Sequence, residues 1–339
     1  DVMGKGFALS PKDLGPNSSA ALSLGDVMVR DDVRWGFLGA ARWSQAWDVR
    51  EEDRADYAIL GDGRLVQTEE YQRERATRNV DSSLFFSTGL VIDDAHHIDA
   101  TVLRLAQTQQ QDRVDTGLRS SGNAERATTS EWVENVLTSR QLSGQHQFEG
   151  AHNLGVNWQY TDSTAERDMP FARHYLYSQT ATGDYAYTSS FPAQMRWEMM
   201  NDDVEEARLG LNLPLAFANG SALNLSAGAS QLRRARESEI WRYTVRHNVR
   251  PPNTATPIEY ILRPEAIDSG AIELMSASRP TDFYHAEQTV EALYARADVT
   301  VGNLRLDVGA RHESNDQQVI TQDPFVPDAL PTIAKIEGS

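Results

Sequence analysis

Apolar and polar side chains alternate along much of this chain. In LRLDVGARHE, residues 304–313, leucine, valine and alanine hold the first four even positions, while arginine, aspartate, glycine and glutamate hold the odd ones. Similar alternation occurs at 153–161, 208–215, 223–230 and 293–300. A period of two residues predicts a β-strand with one apolar and one polar face. The same pattern suits a soluble sheet over a core and a membrane barrel facing lipid.

Less regular segments extend this prediction to about ten strands. They are rich in valine, leucine, threonine, tryptophan and phenylalanine, and they cover residues 20–31, 34–49, 73–92, 97–111 and 129–148. No segment of useful length repeats its apolar residues with a helical period. The chain is therefore predicted to be all-β.

The connections between these strands differ in length. Tight turns rich in Gly, Asn and Asp, which accept the backbone of hairpin turns, are predicted at 31–33, 93–96, 149–152, 218–221 and 302–303. Long polar connections are predicted between them, at 50–72, 112–128, 167–194 and 238–283.

Because the two kinds alternate strictly, an up-and-down sheet places all tight turns at one end. Short periplasmic turns and long extracellular loops are typical of an outer-membrane barrel. The predicted strands, about 13–20 residues long, also exceed the usual 5–6. We therefore predict an antiparallel up-and-down transmembrane β-barrel, present here as a partial barrel of about ten strands.

The hairpin around Gly302 and Asn303 also predicts a register. A two-residue loop pairs Val301 with Leu304, so each apolar residue of one strand meets an apolar residue of the other. The same register opposes Asp298 and Asp307, an unfavourable contact unless Arg296 and Arg305 lie diagonally beside them.

The composition of the chain excludes several classes of protein. The 339 residues are 40% hydrophobic with a mean hydropathy of −0.52, and no run approaches the ~18–20 apolar residues of a spanning helix. There is no cysteine, which excludes disulfides and thiolate metal sites. The net charge of −17 repels nucleic acid, so we expect no nucleic-acid partner.

Three segments carry a family resemblance. EALYARADVTVGNLRLDVGARHESNDQQV (291–319) resembles a late-barrel hairpin of TonB-dependent outer-membrane receptors. RQLSGQHQFEGAHNLGVNWQYTDSTAERDMPFARHYLY (140–177) is similar to a mid-barrel hairpin of that family, and LGDVMVRDDVRWGFLGAARWSQAW (24–47) to an earlier one.

The resemblance implies a barrel of roughly 22 strands plugged by an N-terminal domain. It implies energised uptake of a scarce ligand (ferric siderophore, cobalamin, haem or oligosaccharide) across the outer membrane of a Gram-negative bacterium. The partners implied are outer-membrane lipid, the small-molecule ligand, and TonB through an N-terminal part. Residues 1–339 are expected to be part of one such barrel domain, without the plug domain and the C-terminal strands.

The sequence is also compatible with other functions. A passive porin or another large outer-membrane pore would share the barrel, and a plug domain in a longer sequence would separate it from a receptor. A soluble β-rich carbohydrate-active or binding protein would instead be recovered without detergent.

Residues in the predicted outer loops are the candidate ligand contacts. Aromatic rings could stack on a ligand, and arginines could attract an anionic chelate; the candidates are Trp197, Trp241, Tyr175, Tyr177, Tyr185, Tyr187, Arg242 and Arg246. Loop packing for the rings and pairing with nearby acids for the arginines are the favoured alternatives. Trp35 and Trp158 lie near tight turns, where they suit an aromatic girdle.

No catalytic or metal site is predicted. The acidic groups at 51–53 and 202–206 could suggest paired carboxylates, but solvated loop acids explain them better in a chain with 49 acidic residues. His96 and His97 are adjacent on a strand and point to opposite faces, so they do not readily bind one metal ion. We expect no enzymatic activity and no cofactor.

Overall fold

A computed structural model describes residues 7–10, 13–119, 122–251, 255–321, 323–326 and 330–338. Within them thirteen strands form one antiparallel sheet. The strands are β1 (Ser18–Arg30), β2 (Val33–Ile59), β3 (Leu65–Ile92), β4 (His96–Leu118), β5 (Ala124–Phe148), β6 (Leu154–Gln179), β7 (Tyr185–Tyr187), β8 (Gln194–Ala216), β9 (Ala222–His247), β10 (Ile272–Ser276), β11 (Phe283–Val301), β12 (Leu304–Thr321) and β13 (Thr332–Gly338). Two short helices, α1 (Ile258–Ile261) and α2 (Pro264–Asp268), lie between β9 and β10.

The sheet is up-and-down. Its order is β1-β2-β3-β4-β5-β6-β8-β9-β11-β12-β13, with the short strands β7 on β6 and β10 on β9. The described strands do not close into a barrel, and β1 and β13 are the two edges. The all-β antiparallel prediction is confirmed, and the three short strands β7, β10 and β13 bring the predicted count of about ten to thirteen.

All five predicted tight turns lie at one end of the sheet, which we call the turn end. They join β1 to β2, β3 to β4, β5 to β6, β8 to β9 and β11 to β12, and these strand pairs are antiparallel neighbours. Several turn residues have positive φ, among them Asp31 (51°), Asp93 (54°) and Gly302 (56°). Asp and Gly tolerate this left-handed backbone.

The prediction of four long connections at the opposite end, the loop end, is wrong for two of them, and the third, 167–194, is shorter than predicted because β6 runs to Gln179. Most of 50–72 and 112–128 is strand, because β2 runs to Ile59 and β4 to Leu118 before short turns. Polar side chains support these outer strand parts; Glu52, for example, accepts a hydrogen bond from Arg75 across the hairpin and one from Arg54 on its own strand. Strands held this way carry no apolar alternation, so the pattern underestimated their length, which reaches 28 residues in β3.

The predicted register of the β11–β12 hairpin is confirmed. Val301 pairs with Leu304, and Asp298 faces Asp307. The two carboxylates are neutralised diagonally, since Arg296 donates to Asp307 and Arg305 donates to Asp298. The like-charge contact is thereby replaced by two ion pairs.

Cross-strand pairing defines two faces of the sheet, because directly paired residues point to the same side. One unbroken line of partners defines face A: Trp35, Leu90, Ile98, Gly144, Trp158, Leu209, Ala229 and Leu293. Residues one position away along each strand belong to the opposite side, face B.

Face A carries an apolar band next to the turn end. Representative members are Leu24, Phe37, Phe86, Val102, Leu142, Val156, Leu211, Leu225, Val299 and Leu306. Many of them are exposed, with Leu306 at 56%. At the loop side the band ends in charged residues, such as the ion pair of Arg140 and Asp162 at 3.0 Å.

Face B differs along the same stretch of β5 to β12. It presents small or polar side chains, including Ser143, Gln145, Asn157, Gln159, Asn212, Asn224, Ser226 and Asp298. Along β8 the residues of face B from Glu198 to Glu206 are half-buried or buried, while those of face A from Met199 to Glu205 are exposed. This difference is expected for a sheet that curves toward face B.

A bulge in β6 changes which residues face which side. The pairing with β8 shifts between Met169 and Ala172, around Pro170. Proline has no N–H for the ladder and is accommodated at bulges. Before the bulge, the odd-numbered residues of β6 lie on face B. The inserted residue reverses this assignment, so Tyr175 and Tyr177 lie on face A.

Glycines accommodate large rings on neighbouring strands. A Cβ added to Gly228 would lie 2.4 Å from Cε1 of Tyr294 and 2.7 Å from the backbone oxygen of Leu209. The ring of Trp158 covers Gly144 in the same way. At Gly155 the nearest atom to an added Cβ would be 3.5 Å away.

We therefore expect Gly228→Ala to destabilise the sheet by about 1–3 kcal/mol, because the backbone oxygen cannot move away as a side chain can. Gly155→Ala is the matched control and should change stability much less. Urea unfolding would measure both, and equal midpoints would contradict the packing argument.

Candidate functional site

The loop end of the sheet carries a hydrophobic cluster, which we call the loop-end cluster. Side chains of face A meet the connection that contains α1, α2 and β10. The buried members are Phe7, Tyr175, Tyr177, Tyr187, Ala193, Met195, Val245, Ile258, Ile261, Leu262, Ala266 and Ile272. Three of the predicted ligand contacts are thus inside a packed core.

Two of these tyrosines also form hydrogen bonds with the backbone of the loop-end connections. The Tyr177 hydroxyl donates to the backbone oxygen of Thr256 at 2.8 Å. The backbone N–H of Ala193 donates to the Tyr187 hydroxyl at 2.9 Å. Burial raises the pKa of Tyr187 to about 12 and also raises that of Tyr177. Both hydroxyls therefore stay protonated at neutral pH.

Tyr185 and Trp197 pack at the border of this cluster and are half-buried. The guanidinium of Arg126 lies 5.3 Å from the ring centroid of Tyr177 and 5.5 Å from that of Tyr185, within cation–π range. Trp197 contacts Phe171 at 5.1 Å between centroids.

Trp241 belongs to a second group of rings. It pairs with Trp197 across β8 and β9, but its edge-to-face neighbours are Phe283 at 4.9 Å and Phe325 at 5.7 Å. The structure thus divides the predicted aromatic contacts between two packed groups on face A.

The two predicted arginines are paired with acids. Arg242 donates to both oxygens of Asp282 at 3.0 and 3.1 Å, and Arg246 bonds Glu273. Hydrogen bonds from Arg242 and from the backbone of Arg279 hold the pKa of Asp282 below its ordinary value, against the effect of burial. Packing and charge pairing account for all eight predicted residues, and ligand contact stays a prediction.

His96 and His146 form a pair that the sequence did not indicate. His96 lies directly across from His146, with 3.2 Å between their Nδ1 atoms, and Trp158 donates to Nε2 of His146 at 3.0 Å. Since Nε2 of a neutral His146 accepts, its Nδ1 donates to His96. His97 lies on face B. Among the described residues no group of three or more side chains could hold a metal ion.

The acidic group at 202–206 is split by the strand. Asp202 and Glu206 lie on face B, and Asp203 and Glu205 on face A. Asp202 is buried and accepts hydrogen bonds from Arg234 and Arg236. Alternation along β8 therefore separates these carboxylates by face.

Between the apolar band and the loop end, the two faces of the sheet carry different charges. Face A of β5 to β12 is rich in acids: Glu134, Asp162, Glu166, Asp168, Asp203, Glu205, Glu237, Glu239, Glu287, Glu291 and Asp316.

On face B single carboxylates are shared by two or more arginines. Arg73, Arg113 and Arg119 surround Asp115, and Arg234 and Arg236 surround Asp202. Face B is therefore the more positive side of a strongly acidic chain.

Comparison with known proteins finds no relative of this chain: no protein-family model matches it, and no curated protein matches its sequence. No helix within the described ranges is long and apolar enough to cross a membrane.

Removing one hydroxyl should loosen the loop-end cluster. Tyr187→Phe leaves the fully buried N–H of Ala193 without its acceptor, which should cost about 1–3 kcal/mol. Urea unfolding followed by tryptophan fluorescence would measure the loss. Tyr57→Phe, at an exposed ring, should leave the midpoint unchanged; an equal effect of both changes would contradict this role.

Acid should weaken the same cluster through His247, whose Nε2 lies 3.2 Å from the Tyr187 hydroxyl. Burial lowers the pKa of His247 below 6.5 in the folded protein, so the unfolded chain binds the proton first. Stability should fall as pH drops through 6.5 and level off below the folded pKa. Urea midpoints at pH 7.5 and pH 5 should differ less in His247→Gln, and an unchanged difference would refute this.

Proposed function

We propose that this chain forms part of the wall of an outer-membrane β-barrel receptor. The receptor takes up a scarce small ligand with energy relayed by TonB, as the resemblance of 24–47, 140–177 and 291–319 implies. The supporting observation is the exposed apolar band on face A, opposite a polar face B. An aqueous interior would suit face B, and lipid would suit the band.

The dimensions of the band support this proposal. Residues 207–215 and 293–301 each cross the band with nine consecutive residues, of which every second one lies on face A. Nine residues make about 30 Å of strand at 3.4 Å per residue. At a tilt near 40° this length spans about the 25 Å apolar height of outer-membrane barrels. Trp35, Phe148 and Trp158 lie at its turn end, where an aromatic girdle belongs.

The edges of the sheet also suit a larger barrel. In lipid every backbone N–H and C=O needs a partner, so open edges do not occur there. The outer edges of β1 and β13 would therefore pair with further strands. A barrel of roughly 22 strands would supply them.

In this proposal the loop end faces the outside of a Gram-negative cell and receives the ligand. The packed rings of the loop-end cluster give the outer connections a rigid base. Ferric siderophore, cobalamin, haem and oligosaccharide all remain candidate ligands. TonB would be the energy-transducing partner, acting on a part of the protein other than these strands.

Uptake in intact cells tests the energised step. Cells that carry the complete protein should accumulate its ligand only when TonB is present and the inner membrane is energised. Uptake that continues without TonB would indicate a passive pore, and recovery of the protein in the soluble fraction without detergent would refute the barrel.

Leu306 and Thr300 test which face meets lipid. They lie on opposite faces of the β11–β12 hairpin. An arginine on the lipid face near mid-bilayer costs roughly 2–4 kcal/mol, and one facing water costs much less. Leu306→Arg in the complete protein should therefore impair insertion into liposomes far more than Thr300→Arg. Equal effects, or the reverse order, would mean that face A packs against protein.

A further inference from the structure

Arg234 and Arg236 lie two residues apart on face B of β9, and both bind one carboxylate of β8. Arg234 donates from Nε and Nη2 to the two oxygens of Asp202, the Nε bond being 2.7 Å long. Arg236 donates from Nε at 3.2 Å and from Nη2 to Oδ2. The Asp202 side chain is 7% exposed, whereas those of Arg234 and Arg236 are 40% and 33% exposed.

This arrangement carries more positive charge than its carboxylate can balance. One aspartate neutralises one guanidinium, and among the described residues no second acid pairs with the other. Each guanidinium has five N–H donors, of which Asp202 engages only part. Elsewhere on face B, Arg296 pairs with Asp307 and Arg305 with Asp298, one acid for each arginine. An excess of arginine over acid therefore occurs at Arg234 and Arg236, as it does around Asp115, but it is absent from these balanced pairs.

A small cavity opens beside the two arginines. Its volume is about 190 Å³, and its polar lining on face B is Arg234, Arg236, Tyr284, Gln288 and Gln317. Tyr284 lies beside Arg236 in this lining. Glu287 borders the cavity too, but its position on β11 belongs to face A. At about 30 Å³ per water molecule, the space suits a compact group rather than a large ligand.

We propose that Arg234 and Arg236, positioned by Asp202, bind a compact oxyanion group, a phosphate or a carboxylate, on face B. Arginine forks match such groups with two parallel charge-assisted hydrogen bonds. Because Asp202 already orders both side chains, little conformational entropy is lost on binding. The inference rests on the proposed function in one respect, that face B lines a water-filled interior.

Binding of two probes tests the proposal. The complete protein, inserted in outer-membrane vesicles at low ionic strength, would be titrated calorimetrically with inorganic phosphate and, separately, with citrate. Arg236→Gln should weaken binding of the preferred probe at least tenfold, whereas Arg296→Gln, which removes a balanced arginine of the same face, should change it less than twofold. The stronger probe shows whether phosphate or carboxylate is the natural group.

A second measurement uses the native sequence and avoids any variant that fails to fold. Phenylglyoxal modifies accessible arginines, and mass spectrometry locates the products. Phosphate or citrate should slow modification of Arg234 and Arg236 and leave Arg296 unaffected.

Absence of both heat release and protection in correctly inserted protein would overturn the site while leaving the barrel intact. Failure to insert, read from the membrane fraction of the unmodified protein, would instead overturn the proposed function.

Discussion

The antiparallel register of β1 to β12 is the constraint on which the other features depend. Each residue is paired across the sheet, so a shift of one position would exchange the two faces of a strand. The line from Trp35 to Leu293 is therefore what turns separate alternating segments into one continuous apolar band. The register shift around Pro170 has a local consequence: Tyr175 and Tyr177 lie on face A and join the loop-end cluster.

The same register sorts charge. A chain with a net charge of −17 could repel itself throughout, but the sheet places many acids on the exposed side of β5 to β12. On face B arginines surround the buried carboxylates Asp115 and Asp202. A buried carboxylate is destabilising without partners, so these arginines stabilise the fold. Where two arginines share one acid, the surplus charge becomes available for binding.

The structure separates two kinds of feature at the loop end. The residues that resemble a ligand site in the sequence, such as Tyr177 and Trp241, are engaged in packing, and Arg242 is bound to Asp282. The arrangement with spare hydrogen-bonding capacity, Arg234 and Arg236, lies on face B, opposite the packed rings. A fold shared by many proteins does not specify its ligand, and here the capacity to bind is found in side chains that the packing leaves partly free.

The sequence by itself determined the all-β class, the turn end and the pairing of Val301 with Leu304, because two-residue periodicity and turn chemistry act over a few neighbouring residues. It underestimated β2 and β4, whose outer parts are held by cross-strand polar contacts rather than by an apolar pattern. Only the tertiary structure decided that His96 meets His146, that Tyr187 is buried, and that Asp202 holds Arg234 and Arg236. These contacts join residues tens of positions apart, and the register that brings them together depends on every strand between them.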